Sequence, residues 1–123
     1  MKHTILLIED NEQNRYLATF LLEKAGYAVI PASDGQLGIE LAGRILPKLI
    51  LLDIQLPTMD GYAVASALRR NPQLADIPIV AVTSYAMVGD REKALAAGCT
   101  GYLEKPIDPA TFVVEVERYL KTT

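Results

Sequence analysis

The chain has 123 residues, half of them hydrophobic and 22% charged, with a formal net charge of −3. This is the size and composition of one compact domain built on a single core. It excludes a disordered chain, two full domains, and the basic footprint of a nucleic-acid or anionic-membrane binder.

Short apolar runs alternate with longer amphipathic stretches. "TILLIE" (4–9) reads as a first buried strand. "NEQNRYLATFLLEKAG" (11–26) follows as a helix, with Leu17, Phe20, Leu21 and Lys24 at helical spacing and Gly26 as its stop. "YAVIPA" (27–32) is a second strand, and Pro31 places it at a strand end or a sheet edge. "SDGQLGIELAGRI" (33–45) opens with capping residues and sets Leu37, Leu41 and Ile45 on one face. "KLILLDI" (48–54) is the third strand, buried on both faces by its unbroken apolar run. "MDGYAVASALRRN" (59–71) is the third helix, with Val64, Ala67 and Leu68 as its stripe. "IPIVAVTS" (77–84), "GDREKALAAG" (89–98), "TGYLEK" (100–105) and "DPATFVVEVERYL" (108–120) complete the alternation, the last with Asp108 as N-cap and Pro109 at its first position. Five strands alternating with five helices call for a parallel sheet covered on both faces.

The lone cysteine, Cys99, cannot close an internal disulfide, which fits a reducing cytoplasm. With the only histidine far off at His3, it reads as a small buried hydrophobe and not as a catalytic thiol. The N-terminus turns acidic too soon for a signal peptide, and no apolar run approaches the roughly 20 residues that span a bilayer. The expectation is a soluble, cytoplasmic protein without a membrane or nucleic-acid partner.

In such a sheet, ligands gather at the carboxyl ends of the strands. There the sequence places Glu9 and Asp10 after strand one, Asp53 after strand three, Thr83 and Ser84 after strand four, and Lys105 and Pro106 after strand five. Singly these are ordinary: an Asp after a strand commonly caps the next helix, and Asp10 could do so. Together they place three carboxylates on one rim, and that cluster demands cations. Lys105 supplies one positive charge and a divalent metal two. An all-oxygen donor set points to Mg²⁺ or Mn²⁺, and so to phosphoryl chemistry. Asp53, on the central strand before an open loop, is best placed as nucleophile, with Glu9 and Asp10 holding the ion. Lys105 and the Thr83 hydroxyl are placed to contact phosphoryl oxygens.

The acidic pair Glu9-Asp10, "DIQLPTMDG" around Asp53, "AVTSYA" around Thr83 and "YLEKPI" around Lys105 resemble the receiver domain of bacterial two-component response regulators, over the whole chain. The resemblance implies a flavodoxin-like (βα)₅ fold with strand order 2-1-3-4-5. It implies Asp53 as phosphoacceptor from a phosphohistidine on a histidine kinase or phosphotransfer protein. It further implies that the Gln55 backbone carbonyl completes the metal shell, that Thr83 and Tyr102 form a switch pair, and that the Lys105–Pro106 peptide is cis. Output is then a protein–protein contact through helix four, strand five and helix five, and the native-looking Met1 and short tail favour a stand-alone single-domain receiver, 1–123. Two features depart from the commonest pattern: Glu stands at the first acidic position, and Ser84 follows Thr83 where alanine is frequent. A metal-dependent phosphohydrolase with an aspartyl nucleophile is the main rival, but its general acid would fall at Gln55, which cannot transfer a proton. A nucleotide or flavin module lacks its glycine-rich signatures.

Overall fold

The computed structural model describes residues 3–84 and 89–120. Along the chain it forms β1 (Thr4–Ile8), α1 (Glu12–Lys24), β2 (Ala28–Ala32), α2 (Gly35–Ile45), β3 (Leu49–Asp53), α3 (Gly61–Arg69), a 3₁₀ turn (Pro72–Leu74), β4 (Ile79–Thr83), α4 (Asp90–Ala96), β5 (Gly101–Glu104) and α5 (Phe112–Leu120). The strands form one sheet in the order β2-β1-β3-β4-β5, and every neighbouring pair is parallel. This is the flavodoxin-like arrangement implied by the sequence.

β3 and β4 are buried at every position, because helices cover both sides of the sheet. On one side Ile5, Leu7, Leu51 and Val80 pack with Ala18 and Leu22 of α1 and Phe112 and Val116 of α5. On the other, Leu6, Ile8, Ile50 and Leu52 pack with Ala42, Val64, Leu68 and Ala94 from α2, α3 and α4. A fully buried aliphatic side chain contributes about 1.5–3 kcal/mol, so these two layers carry most of the fold's stability. Cys99 belongs to the second layer, and burial pushes its thiol up to about 11.

Three local features differ from the sequence reading. α1 turns Ala18 and Leu22 to the sheet, while Phe20 is 51% exposed and stacks on Tyr16. The small Ala18 lets the helix approach the strands closely, Leu21 packs at the margin of the same layer, and Phe20 falls on the outer side. The cap of α1 is Asn11, whose side chain accepts from the Asn14 amide at 2.9 Å, and not Asp10. α5 begins at Phe112: the Asp108 carboxylate accepts from the Ala110 amide at 2.9 Å and closes a separate turn ahead of the helix. Pro31 does lie at a sheet edge. The Ala28 amide donates to the His3 carbonyl and the Ala32 carbonyl accepts from Glu9, so even-numbered residues of β2 face β1 and Pro31 faces outward.

Candidate functional site

From β1 the chain runs outward to β2 on one side and to β3 on the other, so the order reverses between β1 and β3. The crevice at that reversal receives the residues that follow both strands. Glu9 and Asp53 are each 3% exposed, whereas Asp10 is exposed at the rim. One carboxylate oxygen from each of Glu9, Asp10 and Asp53 lies within 4.8 Å of the others.

Lys105, arriving from β5, answers part of that charge. Its Nζ lies 3.0 Å from Glu9 Oε1 and 3.2 Å from Asp53 Oδ2. Backbone amides supply more: Asn11 N donates to Glu9 Oε2 at 3.2 Å, and Gln55 N donates to Asp53 Oδ1 at 2.9 Å. Burial, reinforced by the hydrogen bond and charge of Asp53, still pushes Glu9 up to about 7 against the pull of Lys105. For Lys105, burial alone favours the neutral amine; the hydrogen bond and charge of Glu9, then Asp53, outweigh it and hold the pKa above the ordinary lysine value.

The loop after Asp53 is anchored at three points. Ile54 N donates to Val82 O at 3.1 Å, and Gly61 N donates to Ile54 O at 3.1 Å. Gln55 Oε1 accepts from Ser84 N at 3.0 Å, joining this loop to the end of β4. A Cβ on Gly61 would collide with the Ile54 backbone, which is why glycine ends the motif "DIQLPTMDG". Thr83, 2% exposed, ends β4, and its carbonyl accepts from Lys105 N at 2.8 Å. Thr83 pairs in register with Glu104 and Ala81 with Tyr102. Because alternate residues share a face, Thr83 and half-buried Tyr102 stand on the same face of adjacent strands. The Lys105–Pro106 peptide is cis. Tyr85 and Ala86 of the "AVTSYA" motif lie outside the described residues.

The donor set suits a hard divalent ion: three close carboxylates, all oxygen, with no histidine or thiolate among them. Sequence reasoning missed the pairing of Lys105 with Glu9, the bond from Ser84 to the Gln55 side chain, and Arg15. Arg15 Nη1 donates to the carbonyls of Glu9 and Asp10 at 2.9 and 3.1 Å. One arginine in the first turns of a helix carries no signal of such a reach.

A doubly wound sheet with an acidic, oxygen-only pocket at its switch point defines a class of metal-assisted phosphoryl-handling protein. The profile of the response regulator receiver domain matches residues 5–117, and the chain belongs to that family. A polar-differentiation response regulator, DivK of Brucella anthropi, is 39% identical over 120 residues, covering 98% of each chain. Chemotaxis protein CheY4 of Vibrio cholerae superposes with a TM-score of 0.92 at 28% identity, over 97% of this chain and 99% of that one. The receiver domain of sensor histidine kinase PA1611 from Pseudomonas aeruginosa gives 0.90 at 34% identity, over 99% and 100%, and carries a magnesium ion in its active site cleft. The chain is therefore a receiver domain of the two-component response regulators, whose members bind Mg²⁺ at an acidic pocket and work with histidine kinases or phosphotransfer proteins. No described helix is long and apolar enough to cross a membrane.

Proposed function

We propose that Asp53 is the phosphoacceptor of a cytoplasmic receiver formed by residues 1–123, and that Glu9, Asp10, Asp53 and the Gln55 backbone carbonyl hold a Mg²⁺ or Mn²⁺ ion. The observation that carries this reading is the Asp53 carboxylate itself: at the end of the central strand, 3% exposed, with Oδ2 3.2 Å from Lys105. A carboxylate so placed, at a strand end and ion-paired to a lysine, is set for nucleophilic attack. An Asp53 oxygen forms a bond to phosphorus as the P–N bond of the donor's phosphohistidine breaks, and the electron pair departs to the imidazole. Lys105 neutralises the phosphoryl oxygens, and the Thr83 hydroxyl donates to one of them. An ion held by Glu9, Asp10 and Asp53 would supply further neutralisation of phosphoryl and carboxylate oxygens. The protein is then a catalyst only of its own phosphorylation and dephosphorylation. Thr83 and Tyr102 pass the new charge to the surface of α4, β5 and α5, where a downstream protein docks.

The phosphohydrolase alternative is not favoured: Gln55 occupies the position of its general acid, and its side-chain oxygen is committed to Ser84 N. Incubation with acetyl phosphate, with and without Mg²⁺, followed by intact mass measurement, tests the proposal. Wild type gains one phosphoryl group in the presence of the metal only. A gain by Asp53→Asn, or indifference to chelation, overturns it.

A further inference from the structure

We propose that Arg15 is a positioning residue for the acidic pocket, bending the chain at Glu9–Asp10 so that two consecutive carboxylates face one ion. This rests on reading Glu9, Asp10 and Asp53 as the metal-holding set. Along a strand, successive side chains point to opposite faces, and successive carbonyls to opposite sides. Had β1 run on through residues 9 and 10, its two acids could not both have reached Asp53. Yet all three carboxylates lie within 4.8 Å. Regular strand ends at Ile8, although Glu9 N still bonds to Ala32 O at 3.0 Å, so the chain departs from the ladder just beyond that amide.

The Glu9 and Asp10 carbonyls then converge on one nitrogen, Arg15 Nη1, at 2.9 and 3.1 Å. Two consecutive carbonyls on one donor is a geometry that an extended strand forbids. Arg15 reaches them because it lies one turn into α1, its own amide bonded to Asn11 O at 2.9 Å. The guanidinium is therefore a strap from α1 back to the loop that α1 follows. Its rigid, planar donor group suits a pair of fixed acceptors better than a flexible ammonium does. Two other restraints on this turn, Asn11 N to Glu9 Oε2 at 3.2 Å and Lys105 Nζ to Glu9 Oε1 at 3.0 Å, use the carboxylate that an ion would claim. Arg15 holds only backbone, so its grip is compatible with an occupied pocket.

Charge and positioning predict opposite signs. As a mere nearby cation, Arg15 would repel a divalent ion, and its removal would tighten binding. As a positioning residue, its removal loosens the carboxylate geometry and weakens binding. Mg²⁺ titrations of the full chain, followed by amide shifts, decide between them in wild type, Arg15→Met, Arg15→Gln and Arg15→Lys. Met and Gln raise the Mg²⁺ Kd about tenfold, the lower end for lost outer-shell support, and Lys falls between them and wild type. In the metal-free proteins, the carbonyl carbon resonances of Glu9 and Asp10 shift in Met and Gln. A Kd tighter than wild type, or within about twofold of it, in whichever of Met and Gln remains folded overturns the role of Arg15. Should neither fold, an unchanged Kd in the Lys variant overturns it. Failure of the wild type to show saturable Mg²⁺ shifts near residues 9, 10 and 53 overturns the pocket reading instead, and Arg15's role with it.

Discussion

Lys105 Nζ lies closer to Glu9 than to Asp53, at 3.0 against 3.2 Å, so one ammonium serves two buried carboxylates. Removing one partner of a buried ionic cluster leaves the remainder uncompensated, at a cost of about 3 kcal/mol. Lys105→Met is therefore expected to destabilise the metal-free protein by about that amount at pH 8, as read by urea unfolding. Mg²⁺ recovers part of the loss, since the ion supplies the missing charge. A Lys105→Met protein as stable as wild type without metal would show that the pair contributes nothing net.

Glu9 gives the metal-free fold a pH dependence whose sign follows from its raised pKa. Its pKa stands at about 7 in the folded chain against 4.5 for an unperturbed glutamate, first through burial and then through Asp53. Between those values the folded state retains a proton that the unfolded state has lost. The stabilisation is fully present below pH 4.5 and is lost as pH rises through about 7. Glu9→Gln should flatten this part of the stability profile, measured by urea unfolding from pH 4.5 to 8 in the presence of a chelator. An equal slope in wild type and variant assigns the titration to another group.

Two glycines should respond to alanine in opposite directions. At Gly61 a methyl group meets the Ile54 backbone, so Gly61→Ala should cost about 2 kcal/mol and slow labelling of Asp53 by displacing its loop. At Gly43, within α2, the nearest atom to a new Cβ is Asn71 Nδ2 at 3.6 Å, an ordinary contact. Gly43→Ala should stabilise by about 0.5–1 kcal/mol through helix propensity alone. Thermal melts of the two variants test both signs together.

Thr83 and Tyr102 share one face of neighbouring strands, and the proposed switch uses that adjacency. Thr83→Ala should slow labelling of Asp53 without abolishing it and should uncouple it from Tyr102; Thr83→Ser, which keeps the hydroxyl, should restore the coupling. Ring resonances of Tyr102, recorded with and without beryllofluoride, supply the measurement. A Tyr102 ring that responds to beryllofluoride equally in wild type and Thr83→Ala excludes Thr83 as the intermediary.

The strands were legible because apolar runs such as Leu49–Leu52 can be buried on both faces only in a covered parallel sheet. The rim was legible because polar residues follow those runs directly, and the sheet brings the end of β1 beside that of β3. Side-chain direction was not. Leu17 and Phe20 sit at helical spacing with Leu21, yet Ala18 and Leu22 are the buried residues and Leu21 only flanks them, because the closeness of helix to strand depends on partners distant in sequence. The Asp108 cap misled for a local reason: its carboxylate satisfies the Ala110 amide, two residues on, and that turn delays the helix. Arg15 and the Gln55 side chain were out of reach because long polar side chains choose among acceptors that exist only once the loops have folded.

Pro31 has a consequence for association. At the free margin of β2 its outward-facing nitrogen carries no hydrogen, so the margin is missing a donor in mid-strand. A foreign strand laid alongside would forfeit one rung, and the sheet resists being lengthened from that side. Along β2, association by generic backbone pairing is therefore disfavoured, and recognition on that side falls to the side chains of the flanking helices.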